Sequence, residues 1–234
     1  MDGAGTMKII YTIDGGRRPA PAHERLEISD DGAFTMWRSL STMSTPPSAV
    51  GRFAGSVPAD ALRQIQQAAS EASGAGDLAQ PVPPDGAVQV VQLDGATARV
   101  GAHAEATGAW GTLLGLLREL LGTLADQPLA VVAVEVAKDA SRASLRHLGT
   151  VPLVLELAGA VVRVVVWRDG AKAGDWRSGP IGDAKVEASA GWSLELPFDH
   201  SLALHAGDKT DVYVTFGADD GGHAVRAQLL HRVE

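Results

Sequence analysis

Apolar and polar positions alternate along most of the chain, and the pattern changes character once. Residues 7–14 (MKIIYTID) are alternating and β-branched and predict a strand. Gly15-Gly16 ends it, and Pro19 and Pro21 keep the following link extended. Residues 24–29 predict a second strand, Asp30-Asp31-Gly32 a hairpin turn, and residues 33–40 the returning strand. Residues 41–49 are polar and contain proline, so they predict a loop, and residues 50–56 a short strand. Val57-Pro58 predicts a helix start, because the missing proline N–H would have no partner in the first turn. Ala61, Leu62, Ile65, Ala68, Ala69 and Ala72 then follow a helical period. Residues 73–86 are rich in Gly and Pro and end that unit.

Two alternating segments, 87–93 and 96–102, flank Asp94-Gly95, a two-residue turn of the favoured hairpin type. Thr107 is the expected N-cap of a second helix. Trp110, Leu113, Leu114, Leu117, Leu120, Leu121 and Leu124 form one apolar stripe on it, with Arg118, Glu119 and Thr123 off the stripe. The stripe reads as packing on its own sheet; the alternative is a partner-binding face, which would be an aggregation hazard if left bare. Beyond Asp126-Gln127-Pro128 the helical period stops. Strands are expected at 129–137, at 150–158 paired with 160–168, and at 191–198, 211–217 and 223–233, with 169–183 as a long loop.

The expected fold is therefore an α+β N-terminal domain over 1–127, an antiparallel sheet covered by two helices, followed by an all-β immunoglobulin-like sandwich over 128–234. With 45% hydrophobic but only 5% aromatic residues, the cores are built mainly from aliphatic side chains. Net charge is −8, and neither part is basic: residues 1–127 carry 9 basic and 14 acidic side chains, residues 128–234 carry 11 and 14. Nucleic acid is not an expected partner, since no cation cluster would drive counterion release. The absence of cysteine excludes disulfides, thiolate metal sites and a cysteine nucleophile. The N-terminus lacks a basic start followed by an apolar core, and the longest apolar run, 151–166, is broken by Glu156 and Arg163. The expectation is a cytoplasmic protein with no membrane span.

Two resemblances extend this reading. Residues 149–159 (GTVPLVLELAG) and 191–216, with the turn Ala206-Gly207-Asp208-Lys209-Thr210, resemble bacterial immunoglobulin-like or fibronectin-like accessory domains, which implies a β-sandwich and no particular ligand. Residues 7–124 resemble the emfourin-like family of small proteinaceous inhibitors of thermolysin-type metalloproteases. The carrying features are the strand ending in Gly15-Gly16, the second strand, the helix led by Pro58-Ala-Asp-Ala-Leu62, the hairpin, and the closing helix led by Trp110. The chain departs from that family where Arg17 stands in place of an aromatic residue after the glycine pair, and in the extra hairpin and loop of 30–49. The resemblance implies a partner that is a protease; no family binding residue is carried over.

No complete catalytic, cofactor or metal motif is present. The G-x-S-x-G elbow is absent, and Ser56 reads as a helix-capping residue. His200 and His205, beside Asp199, are five apart, which suits neither a helical nor a strand ligand pair, and His223 and His231 are too far apart on one strand to share an ion. Asp219-Asp220-Gly221-Gly222 lacks the alternating order of a calcium loop and reads as a turn. Gly15, Gly16, Arg17 and Arg18 lack phosphate-loop context and are either a solvated turn or a partner contact. Trp192 shares the parity of the core leucines, whereas Trp176 falls in the polar segment 169–183 and is the aromatic candidate for an exposed contact.

The reading is a non-enzymatic protein-binding protein without cofactor, a protease inhibitor or regulator through its N-terminal part. The alternatives are a structural or assembly adaptor, with Gly111, Gly115 and Gly122 permitting close helix packing, and a hydrolase with an unrecognised site.

Overall fold

The structure is a computed structural model that describes residues 8–15, 22–41, 48–102, 104–137, 141–181, 185–197, 200–219 and 225–233. In chain order the elements are β1 (Ile9–Gly15), β2 (Ala22–Ile28), β3 (Ala33–Arg38), β4 (Leu40–Ser41), β5 (Ser48–Ser56), α1 (Ala59–Ala75), β6 (Leu78–Ala79), β7 (Val88–Leu93), β8 (Ala96–Gly101) and α2 (Gly108–Leu124). There follow β9 (Pro128–Val136), β10 (Arg142–Gly149), β11 (Leu153–Arg168), β12 (Ala171–Arg177), β13 (Lys185–Ala188), β14 (Ser193–Pro197), β15 (Lys209–Asp219) and β16 (Val225–Val233). The chain divides into two compact units: unit 1 comprises Met1–Arg38 and Arg52–Pro128, and unit 2 comprises Ser39–Gly51 and Leu129–Glu234.

The expected fold class is corrected by the strand order. The chain is mostly β, 54% strand and 18% helix. One hydrogen-bonded path, β14-β10-β9-β5-β3-β2-β1-β7-β8-β6, forms a ten-stranded sheet. It is mixed, because β6 pairs β8 in parallel while its neighbours pair antiparallel. No all-β domain stands separately after an α+β domain: β9, β10 and β14 lie on the same path as the N-terminal strands. Sequence periodicity could not reveal this, since it fixes which face of a strand is buried and not which strand lies beside it.

Within unit 1, strict alternation puts Ile9, Tyr11, Leu26, Ile28, Phe34, Met36, Val91, Ala98 and Val100 on one buried face. Two helices supply further core. α1 buries Ile65, Ala68, Ala69 and Ala72, and α2 buries its whole apolar stripe from Trp110 to Leu124. Each leucine so buried contributes about 2 kcal/mol relative to exposure. Pro58 is the N-cap of α1 rather than its first helical residue, and Thr107 is the N-cap of α2 but makes no side-chain capping bond. Ser56 does not cap α1; its backbone N–H and C=O pair with the amide of Gln127.

Within unit 2, residues Ala130–Val134 of β9 are all buried, so both faces of that strand are covered. The second ladder runs β12-β11-β15-β16-β4, with β13 pairing β11 beside it. The expected strand pair 150–158 and 160–168 is one sixteen-residue strand, β11. Its register against β15 slips between Glu156 and Val161, and it changes neighbours there: Leu153–Glu156 pair β13, whereas Arg163–Arg168 pair β12. Part of the expected loop 169–183 is the strand β12, which follows β11 through a hairpin turn at Asp169 (φ 51°) and Gly170 (φ 78°). Among the described residues no helix is long and apolar enough to cross a membrane.

Candidate functional site

β1 ends at Gly15, whose φ of +97° lies in the left-handed region that glycine adopts without a Cβ penalty. Gly15 pairs with Ala22, the first residue of β2, and is the last residue of β1 in that register. Gly16, Arg17 and Arg18 lie outside the described residues. A Cβ built on Gly15 would stand 3.4 Å from the Gly86 carbonyl oxygen and 3.7 Å from Ala87 Cα, which places the segment before β7 alongside. That segment is joined to the link after β8 by an Ala102 N–H···O=C Ala87 bond of 2.7 Å. Gly15, the segment 80–87 and the start of the segment after β8 at Ala102 therefore meet at one end of the unit 1 sheet. Beside Gly15, His23 Nδ1 stands 2.5 Å from Asp14 Oδ1 across the β1–β2 pair.

A polar network behind this end holds it. Tyr11 Oη donates to Gln89 Oε1 at 2.7 Å, and Arg118 Nε of α2 donates to the same oxygen at 3.1 Å. Gln89 Nε2 donates to the carbonyls of Ala102 (2.6 Å) and Gly101 (3.3 Å), and Arg118 Nη2 to that of Ala104 (3.3 Å). Gln80 Nε2 reaches the Glu105 carbonyl at 3.4 Å. Gln89 is 1% exposed, so its four bonds leave no polar valence of the amide wasted in the core. Burial pushes the Tyr11 phenol above its usual range, so it remains a neutral donor. The sequence did carry a signal for Gln89: it shares the parity of Val91 in an alternating strand, a polar residue at a core position.

A second buried polar contact lies about one turn further along α2, at its C-terminal end. Arg38 Nε donates to Glu24 Oε1 at 2.6 Å, and Arg38 Nη2 donates to the Leu121 carbonyl in the last helical turn at 3.4 Å. The guanidinium also lies 5.7 Å from the centroid of Phe53. A cation there complements the partial negative charge of the helix C-terminus. At the opposite end of β1–β3 from Gly15, an open cavity of about 510 Å³ is bordered by Lys8, Glu27, Ser29, Ala33 and Thr35. Three of its polar side chains are bonded to protein: Lys8 Nζ to Glu27, Glu27 also to Arg25, and Ser29 to Asp31. The Lys8 bond, first, and those from Arg25 hold the Glu27 carboxyl below its usual range.

In unit 2, Trp176 lies on β12 opposite Val164, which is fully buried. The indole is half-buried and meets the His200 ring edge-on at a centroid distance of 6.3 Å. Asp175 beside it accepts two bonds from Arg163 (2.8 and 2.6 Å) and one from Lys172 (3.1 Å), which bring its pKa down to about 2. Asp208 is held likewise at about 2 by a two-bond pair with Arg168 and by the His205 N–H. Trp192 is half-buried. His223, Asp199 and residues 220–222 lie outside the described residues, and no group of three His, Cys, Asp or Glu suited to a metal ion occurs among those described. On α2, a Cβ at Gly111 would stand 2.3 Å from the Ala106 carbonyl oxygen, so that glycine serves the chain's own packing; Gly115 and Gly122 have nothing within 4 Å.

The chain matches no family model, no curated protein and no solved structure.

Proposed function

We propose that the chain is a non-enzymatic protein-binding protein, and that it inhibits or regulates a thermolysin-type metalloprotease through the sheet end of unit 1. The observation that supports this reading is the pinning of adjoining connections there by Gln89, Arg118 and the Ala102–Ala87 bond. Loops fixed before a partner arrives lose little conformational entropy on binding, which is what tight protein recognition needs. Gly15 sits beside those pinned segments, and in the sequence Gly16, Arg17 and Arg18 follow it. The resemblance of residues 7–124 to emfourin-like inhibitors names the class of partner.

The test is residual proteolysis by thermolysin at micromolar excess of the full chain. Saturable loss of activity is expected, and it should weaken when Arg17 and Arg18 are both replaced by Ser. Undiminished proteolysis would sink the reading.

A further inference from the structure

The segment leading into β7 reads Gln80-Pro81-Val82-Pro83-Pro84-Asp85-Gly86. Proline fixes its own φ near −65°, and each residue before a proline is driven out of the helical region toward polyproline II. Gln80, Val82 and Pro83 all precede a proline, so residues 80–83 are held to that extended form by local sterics alone. The structure leaves 80–83 without helix or strand and leaves Pro81, Pro83 and Pro84 exposed, with Val82 half-buried. Both ends are tied down. The Gln80 N–H donates to the Arg99 carbonyl at 2.9 Å, and the Gly86 N–H closes a turn on the Pro83 carbonyl at 2.9 Å. Two X-Pro pairs, Gln80-Pro81 and Pro83-Pro84, are thus displayed about one polyproline turn apart, roughly 9 Å.

We propose that residues 80–84 are a ligand segment for a protein with an aromatic-lined, proline-recognising groove. Such grooves accept successive X-Pro pairs of a polyproline helix and gain from its pre-set conformation. Exposed apolar rings with few polar groups to desolvate suit that groove, and the anchored ends remove most of the ordering cost that a free proline-rich peptide leaves. Three exposed prolines, Pro81, Pro83 and Pro84, thus fall within the one connection from β6 to β7. The inference does not rest on protease inhibition, and each can fail alone.

The experiment titrates the full chain against a panel of purified SH3 and WW domains, read by the fluorescence of the groove tryptophans. Saturable micromolar binding to at least one domain is expected. It should be competed by a free decaproline peptide and weakened at least about tenfold by Pro81→Ala/Pro84→Ala. Circular dichroism checks that the variant is folded, and the decaproline competition decides the matter without any variant. No binding across the panel at several hundred micromolar overturns the proposal, as does binding that decaproline leaves unchanged.

Discussion

The two units place their ion pairs differently. Unit 1 buries one in its core beside other polar groups: Gln89 joins sheet, loop and α2, while Arg38 joins Glu24 to the end of the same helix. Unit 2 covers Val131, Val132, Val134, Val162, Val164, Val212 and Val214 almost entirely, buries polar groups such as Asp211, which accepts from Trp167 Nε1 at 2.9 Å, and sets most of its ion pairs toward solvent, as in Arg146–Glu135 and Lys185–Glu156. The difference teaches where each unit is vulnerable. Unit 1 depends on satisfied buried polar groups, whose loss leaves a partner stranded. Unit 2 depends on close backbone packing, and its charges tune rather than create stability.

The largest effect is expected at a backbone contact of unit 2. Gly51 has φ +128°, and a Cβ there would stand 2.2 Å from the Ala130 carbonyl oxygen and 2.9 Å from Val131 Cα. Neither atom can swing aside, as a flexible side chain would. Gly51→Ala should cost about 4 kcal/mol, from left-handed strain and overpacking together. Urea unfolding measures the loss, and hydrogen exchange should show faster exchange at β9. A shift within error of zero would mean that unit 2 is not limited by backbone fit.

In unit 1 the corresponding test is Glu24→Gln. It strands Arg38, which is 8% exposed, and should cost about 3 kcal/mol. Glu24→Leu combined with Arg38→Met should regain most of that, because replacing both members of a buried pair by apolar groups removes the desolvation penalty. If the double variant is as unstable as the single, the guanidinium bond to Leu121 matters more than the ion pair. Next in size is Gln89→Leu, at about 2 kcal/mol, since it leaves the Ala102 carbonyl and the Tyr11 hydroxyl without their partner. Hydrogen exchange over 101–107 should rise in that variant, and thermolysin inhibition should weaken with it.

Why some of this was legible in the sequence and some was not is visible in two turns of the same chemistry. Asp94-Gly95 stood between two strongly alternating segments and announced a hairpin, and β7 and β8 form it. Asp169-Gly170 is the same dipeptide, yet the strand that follows it, Ala171–Arg177, is almost wholly exposed and so carries no apolar period to read. The seven-residue stripe of α2 was readable because burial imposes it. The ten-stranded path was not, since pairing between distant strands leaves no periodic mark. At the candidate site Gly15 was legible as a strand end, whereas the Gln89 network depends on the carbonyls of Gly101, Ala102 and Ala104, whose approach only the tertiary structure determines.

The smallest expected effect concerns acid, and it sharpens the contrast from the side of unit 2. Asp175 and Asp208 both titrate at about 2 in the folded chain, against an ordinary value near 4. The cause is first the bonds from Arg163 and from Arg168 respectively. A carboxylate whose folded pKa is depressed binds fewer protons folded than unfolded. Its stabilisation is therefore complete above about pH 4 and is lost as the pH falls toward 2. Asp175→Asn/Asp208→Asn should unfold more easily than the parent at pH 7, and the gap should close as the pH is lowered through that window. Because the arginines of these pairs are 40% and 39% exposed, 0.5 M salt should shrink the gap at pH 7, whereas the penalty of Glu24→Gln in the covered core of unit 1 should hardly change. Equal salt sensitivity of the two variants would erase the distinction between the ion pair of unit 1, covered on both sides, and those of unit 2, whose arginines reach solvent.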